Sequence, residues 1–315
     1  MKAVFLDYDT VSNGDLDTRA LSSAAGDLTL FDSDDARIVE RMRDAQIVLV
    51  NKVALSRELL EAPRLQLVAV AGTGTNNIDV AAARELRVGV CNVRGYCTAS
   101  VVQHTWGLIL SLTQHLPEYT RLVRDGAWGQ NEVRTVVSHP IRELDGRILG
   151  IIGWGELGRG VARVAQSFGM RVVIANRPGE APSPGRLALD ELLATADIVS
   201  LHCPLTDSTR GLLGARELAL MKSDAVLINT ARGGLLDGRA LAAALKAGRL
   251  GGAGIDVLPH EPPQSNEPLL DPDIPNLLLT PHVAWAAREA RQRCLDEMAA
   301  NIRDFAAGGR RSRVD

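Results

Sequence analysis

The sequence predicts an α/β protein built from parallel sheets covered on both faces by helices. Short apolar runs rich in valine, isoleucine and leucine recur along the chain, each bounded by turn residues. Helical patterns separate them, so successive strands are joined by crossovers and lie parallel. One stretch, Arg147 to Arg177 (RILGIIGWGELGRGVARVAQSFGMRVVIANR), holds strand, glycine turn, helix and strand in immediate succession.

In that stretch Gly153, Gly155 and Gly158 stand in the spacing G-x-G-x-x-G. They lie between the apolar runs Ile148–Ile152 and Arg171–Ala175, and a helical pattern runs from Glu156 to Phe168. This context is what a dinucleotide site requires. Gly153 makes the tight turn, Gly155 lets backbone approach a pyrophosphate, and Gly158 allows close helix–strand packing. The pyrophosphate meets unsatisfied N–H groups at the helix start, around Glu156 and Leu157. The competing reading is a glycine-rich turn in another kind of α/β protein, and the flanking strands weigh against it.

Composition narrows the class. The chain has 315 residues, is 46% hydrophobic and 23% charged, and carries a formal charge of -3. That is globular composition with scattered positive residues, which argues against nucleic acid as a general partner. No eighteen-residue apolar run is present, so no membrane span is expected. The N-terminus enters a strand directly and does not read as a signal peptide. Cys91, Cys97, Cys203 and Cys294 lack metal-site spacing and read as reduced cysteines of a cytoplasmic protein. The six histidines are dispersed, so no metal is expected.

Residues 1 to 97 read as one small α/β domain. Its strands are expected at Ala3–Leu6, Leu28–Leu30, Ile47–Val50, Leu67–Ala71 and Val88–Cys91. Its helices are expected near Leu16–Ala25, Asp34–Arg43, Arg57–Glu61 and Val80–Leu86. No glycine fingerprint follows its first strand. The turn Gly72-Thr73-Gly74-Thr75 follows a later one and reads either as backbone N–H groups that meet a carboxylate or as a plain turn. A long helical stretch then runs from Thr98 to about Val123, with Pro117 expected to kink or divide it. His104 and His115 on this stretch read as packed or surface histidines. Residues 124 to 146 read as an irregular arm with Trp128 as its apolar anchor.

The region from Arg147 carries six strand candidates with crossover helices, enough for a doubly wound dinucleotide domain. Polar residues collect at its strand ends, where such sheets bind ligands. His202-Cys203-Pro204 ends one strand, and Thr230-Ala231-Arg232 followed by two glycines ends the next. Asp256 ends another, and Pro281-His282 ends the last. A final helix is expected over Val283 to Phe305, and the charged tail after Gly308 is expected to fray.

Arg232, His282 and Glu261, the last in the loop after Asp256, suit work on a carbonyl as one set. The Arg232 guanidinium is a rigid fork that fits a carboxylate and a neighbouring carbonyl oxygen, or it is a surface arginine in an ion pair. A histidine passes protons near neutral pH, so His282 reads as a proton donor or as a helix cap. Glu261 reads as the carboxylate that orients that imidazole or as part of a solvated proline-rich loop.

Seven stretches, in order, resemble the D-isomer-specific 2-hydroxyacid dehydrogenases over nearly the whole chain. They are AGTGTNNIDVAAA (Ala71–Ala83), NVRGYCTASVV (Asn92–Val102), GIIGWGELGRGVA (Gly150–Ala162), LHCPLTDSTRGLLG (Leu201–Gly214), LINTARGGLLD (Leu227–Asp237), GAGIDVLPHEPP (Gly252–Pro263) and TPHVAW (Thr280–Trp285). The wording around Gly72 and Cys97, with Trp285 after the histidine, looks most like the glycerate dehydrogenase or hydroxypyruvate reductase branch.

The resemblance implies two Rossmann-like doubly wound parallel-sheet domains with the active site in the cleft between them. Residues 1–97 and 286–315 would form the substrate-binding domain, and residues 98–285 the NAD(P)-binding domain. It implies hydride transfer to a small 2-keto acid such as hydroxypyruvate or glyoxylate, and a homodimer formed through the long helix and arm. The family's substrate arginine falls on Arg232, its acidic partner on Glu261 and its acid/base histidine on His282. Asp256 falls near the nicotinamide. Gly72, Thr73, Gly74, Thr75 and Trp285 fall on the substrate side. Val102, Gly153, Gly155, Glu156, Leu157, Gly158, Asn176, Arg177, His202, Cys203, Pro204, Thr209, Thr230, Ala231 and Ala284 fall along the cofactor. Other readings are a D-lactate-type reductase or a dinucleotide-sensing corepressor. A formate dehydrogenase fits less well, because a neutral glutamine partners its histidine where Glu261 is charged.

The fingerprint also bears on which dinucleotide binds. NAD sites carry an acidic residue at the end of the second strand to accept from the adenosine ribose. Here that place is Asn176, followed by Arg177. A neutral residue does not repel a 2′-phosphate and an arginine pairs with one, so NADP preference or dual use is expected. The alternative is that Asn176 bonds the ribose of NAD while Arg177 stacks on adenine.

Overall fold

The computed structural model describes residues 1–129, 134–177 and 183–315. The chain divides into two compact units, Met1–Cys97 with Trp285–Asp315, and Thr98–Ala284.

The first unit begins β1 (Lys2–Phe5), α1 (Arg19–Ala25), β2 (Asp27–Leu30), α2 (Ile38–Met42), β3 (Ile47–Val50), α3 (Arg57–Leu60), β4 (Leu67–Val70), α4 (Val80–Glu85) and β5 (Gly89–Cys91). All five strands are parallel, in the order β2-β1-β3-β4-β5. The central strands β3 and β4 read IVLV and LVAV and are buried at every position, as a sheet covered on both faces requires. α1 starts three residues later than the helical pattern expected from Leu16. The preceding loop is held open because Asp15 pairs with Arg291 at 2.7 Å.

The second unit opens with α5 (Thr98–Thr113) and α6 (Leu116–Arg124). The break falls at His115, which is left-handed at φ 50°. Pro117 therefore does not kink one helix but sits in the first turn of the next, where its missing N–H is harmless. In the arm, Trp128 is half exposed and its indole N–H donates to the Arg134 carbonyl at 3.1 Å. Part of the arm, 130–133, lies outside the described residues.

There follow β6 (Ile148–Ile152), α7 (Glu156–Ser167), β7 (Arg171–Ile174), α8 (Leu189–Thr195), β8 (Ile198–Leu201), α9 (Ala215–Leu220), β9 (Val226–Asn229), α10 (Gly238–Lys246), β10 (Gly252–Ile255) and β11 (Leu277–Leu279). The sheet is parallel throughout, in the order β11-β10-β9-β8-β6-β7. A single parallel bridge, Ala175 to Leu187, extends it beyond β7. Leu187 thus stands for the third strand of the 3-2-1-4-5-6 dinucleotide order, reduced to one residue. Alternate residues face opposite layers. Val226 and Ile228 pack with Trp106, Leu108 and Ile109, while Leu227 packs with Leu192, Leu218 and Leu241. Both units are thus parallel-sheet α/β domains, as the sequence predicts.

The last helix, α11 (Arg288–Ala306), packs on α1 and β4 of the first unit. It begins five residues later than expected because residues 282–284 are bonded to Asp256 instead. The tail does not fray. Val314 N–H donates to Val90 O at 2.9 Å, Val90 N–H donates to Asp315 Oδ1 at 2.8 Å, and Cys91 forms an antiparallel bridge with Arg313. The tail covers the edge of β5, whose backbone groups are otherwise open to pairing. The Arg313–Asp315 pair, at 2.5 Å and largely shielded, holds the carboxylate that accepts from Val90 N–H. Arg313→Ala is expected to lower stability by about 1–3 kcal/mol, read as a shifted urea midpoint at unchanged slope. An unmoved midpoint would show the tail to be unattached.

Candidate active site

The turn from β6 into α7 is built around its glycines. Gly153 adopts φ 106°, and a Cβ there would collide with the backbone of His202 and Cys203. A Cβ on Gly158 would collide with the Gly153 carbonyl. Above Gly155 the space is open, with nothing within 4 Å of where its Cβ would stand. Gly155 also precedes the first turn of α7, whose N–H groups have no acceptor within the helix. This backbone cradle fits a diphosphate, with Leu157 in its first turn. The Glu156 carboxylate is bonded to Thr98 Oγ1 at 2.5 Å, so Glu156 meets an anion only through its N–H. Val102 packs against α7 at Gly160, where a Cβ would meet it at 2.6 Å.

At the end of β7 the Asn176 side-chain oxygen accepts from Ser183 N–H at 3.0 Å. Arg177 is exposed beside it. Residues 178–182 lie outside the described residues.

The next strand ends are tightly tied. His202 is buried and bonds Ser200 Oγ through Nε2 at 2.8 Å. Burial pushes its imidazole down to about 4, so it is neutral at physiological pH. Burial likewise pushes the Cys203 thiol up to about 11, so it is no nucleophile. Thr209 closes the following loop by donating to the Pro204 carbonyl at 2.7 Å. After β9, Thr230 Oγ1 lies 3.1 Å from Thr105 Oγ1.

Asn229, fully buried, clamps the next turn from both sides. Its oxygen accepts from Ala231 N–H at 3.0 Å, and its amide donates to Arg232 O at 2.9 Å. The arginine main chain is thereby fixed, and its Nη1 donates to Ala231 O at 2.7 Å. The sequence reading passed over Asn229; its place just before the strand-end polar cluster was the available signal. Gly233 follows because a side chain there would collide with the backbone of Leu258 and Pro259. That close approach seats the loop bearing Glu261 against the loop bearing Arg232.

Glu261 accepts from Leu258 N–H at 2.9 Å through one carboxylate oxygen and contacts His282 Nδ1 at 2.5 Å through the other. His282 is itself left-handed at φ 56°, a conformation that needs outside support. Asp256 gives it. The Asp256 carbonyl accepts from His282 N–H at 2.8 Å. Its carboxylate, 1% exposed, accepts from Val283 and Ala284 N–H, both at 2.9 Å, and from Thr280 Oγ1 at 2.5 Å. Asp256, read from the sequence as a cofactor-side residue, is here an anchor of the histidine turn.

In the first unit, the Gly72–Thr75 turn is held by Val93 N–H to Gly72 O at 2.9 Å, Thr73 Oγ1 to Val93 O at 2.8 Å and Asn92 Nδ2 to Thr73 O at 2.7 Å. Trp285 belongs to this unit and meets Tyr96 edge-on at 6.5 Å between ring centroids.

Within the second unit, then, one sheet edge carries a diphosphate cradle, a fixed arginine and an imidazole backed by a carboxylate. That set suits proton transfer to a carbonyl beside a bound dinucleotide. Among the described residues no helix is long and apolar enough to cross a membrane, and no cluster of three or more His, Cys, Asp or Glu side chains suits a metal ion.

Comparison with known proteins gives the same picture. Residues 106–284 match the family model described as D-isomer specific 2-hydroxyacid dehydrogenase, NAD binding domain. The chain is 43% identical over 272 residues to a glycerate dehydrogenase of Methylorubrum extorquens, covering 86% of each. It is 36% identical over 317 aligned positions to a hydroxypyruvate reductase of Blautia hydrogenotrophica, covering 98% of each. Among solved structures, an acyclic imino acid reductase in complex with NADPH and D-Arg superposes with a TM-score of 0.86 at 28% identity, covering 100% of both chains.

Proposed function

Because the chain belongs to the D-isomer-specific 2-hydroxyacid dehydrogenases, an NAD(P)-dependent oxidoreductase family, we propose that it reduces hydroxypyruvate and glyoxylate to D-glycerate and glycolate. The observation that carries the reading is the His282–Glu261 contact, at the edge of the sheet that also bears the dinucleotide fingerprint. The open backbone at Gly155 and the N-terminus of α7 fit the diphosphate of such a cofactor. When bound, the reduced nicotinamide supplies the hydride for C2 of the keto acid.

The chain's own residues do the rest. Arg232 pairs with the substrate carboxylate and polarises the keto oxygen. Glu261 holds Nδ1 of His282, which fixes the ring and leaves Nε2 as the atom that gives the keto oxygen its proton. Charge placed in advance where the alkoxide develops lowers the barrier. Gly72–Thr75 and Trp285 are further candidates for contact with substrate. A decisive assay follows absorbance of the reduced cofactor with hydroxypyruvate, glyoxylate and pyruvate. Fastest turnover is expected with hydroxypyruvate, and no oxidation with any 2-keto acid would overturn the reading.

NADP is proposed as the preferred or an equal cofactor. With its oxygen accepting from Ser183 N–H, Asn176 still has an amide that can donate, and a donor beside Arg177 suits a 2′-phosphate. kcat/KM for NADPH is expected to equal or exceed that for NADH. Arg177→Ala should cost about tenfold with NADPH alone. A tenfold advantage for NADH in the unmodified chain would refute the preference. We also assign the protein to the cytoplasm as a homodimer. Exposed Leu116, Val123, Trp128, Val137 and Ile141 on α6 and the arm suit the subunit contact.

A further inference from the structure

α5 lies along β10 in a matched repeat. Four residues of helix rise about 6 Å, and two residues of strand rise about 6.6 Å. Side chains four apart on the helix therefore meet alternate residues of the strand. A Cβ on Gly252 would lie 3.2 Å from Leu112 Cδ2, and one on Gly254 would lie 2.9 Å from Leu108 Cβ. Two residues on, His104 Nε2 lies 3.5 Å from Asp256 Oδ1. One further turn up, Ser100 Oγ donates to the Ala284 carbonyl at 2.6 Å. The glycines at 252 and 254 let the helix come close enough for the polar pair beyond them to touch. The same helix face that fills the core with Leu112 and Leu108 thus ends on the turn that carries His282.

The direction of the polar contacts follows from the groups present. An ionised Asp256 carboxylate only accepts, so the one hydroxyl proton of Thr280 goes to it, across 2.5 Å. Thr280 Oγ1 must then accept from His104, whose Nε2 lies 3.1 Å away. His104 donates from Nε2 as the neutral tautomer or as the imidazolium, so this contact does not depend on its charge. The chain of bonds runs from His104 through Thr280 to Asp256, and from Asp256 to Val283 and Ala284 N–H.

We propose that His104 is a positioning residue for His282, holding the left-handed turn through Thr280 and Asp256 without touching substrate. The proposal rests on the reading of His282 as the proton donor. Misplacing that imidazole slows the proton step while leaving the cofactor cradle at the N-terminus of α7 untouched.

The test is steady-state kinetics with hydroxypyruvate and reduced cofactor, together with cofactor Kd by fluorescence titration. His104→Leu is expected to lower kcat by about 10- to 100-fold, with cofactor Kd within twofold. His104→Gln, whose amide N–H reaches the same oxygen, is expected to restore most of it. Thr280→Val should match His104→Leu, and the double variant should be no worse than the poorer single one. A His104→Leu enzyme with kcat within twofold of the parent, or a double variant whose losses multiply, overturns the proposal. If His104→Leu fails to fold, Thr280→Val against His104→Gln decides: the first must fall and the second must hold. A parent enzyme inactive with every 2-keto acid would overturn the functional reading and this proposal together. An active parent with an unimpaired His104→Leu overturns this proposal alone.

Discussion

Replacing His282 with alanine is expected to cut kcat by ~10²–10⁴ while leaving cofactor binding intact. The turn that carries the residue is held by main-chain bonds. His282 N–H donates to Asp256 O, and Val283 and Ala284 N–H donate to the Asp256 carboxylate. None of these uses the imidazole, so its removal deletes the proposed proton donor and not the loop. The diphosphate cradle at Gly155 lies at the end of another strand and does not depend on it. One side effect is foreseeable. The residue sits at φ 56°, where alanine costs about 1–2 kcal/mol. His282→Asn is the better control, since asparagine accepts that conformation more readily. Both variants should bind reduced cofactor with parental affinity and turn over slowly. A kcat within tenfold of the parent for either one would remove His282 from the acid role.

The second large effect is expected at Arg232. Arg232→Lys should lower kcat/KM for hydroxypyruvate by ~10²–10³, about 3–4 kcal/mol of transition-state stabilisation. Lysine keeps the charge but not the planar fork that pairs with a carboxylate and a carbonyl oxygen together. The backbone at this position is set by Asn229, which bonds Ala231 N–H and Arg232 O, so the substitution leaves the turn in place. Because the fork is proposed to act on the keto oxygen as well as on the carboxylate, kcat should fall along with the rise in KM. A loss confined to KM would mean that Arg232 binds substrate without polarising it, and a loss under fivefold would place the substrate elsewhere.

The strands were legible because their signal is local. IVLV at 47–50 and LVAV at 67–70 must be buried on both faces whatever surrounds them, and they are. The break at His115 was harder to place, because Pro117 permits either a kink or a fresh helix start. The tail was misjudged from its charge. Arg313 and Asp315 look solvated in isolation, but they pair with each other against the open edge of β5. The late start of α1 has the same cause, a partner, Arg291, far away in sequence. The partners of Asp256 and His104 escaped for that reason too. A polar residue announces that it needs partners without saying which ones.

By itself, then, the sequence determined the two parallel-sheet units, the dinucleotide cradle and the family. Strand burial, turn glycines and motif order are properties of contiguous residues. Only the tertiary structure decided that Glu261 meets Nδ1 of His282, that Asn229 fixes Arg232, and that Asp256 anchors the histidine turn with α5 behind it. Those contacts join segments more than twenty residues apart, except at Asn229. Their geometry is set by how closely helix and strand pack, which no local pattern encodes.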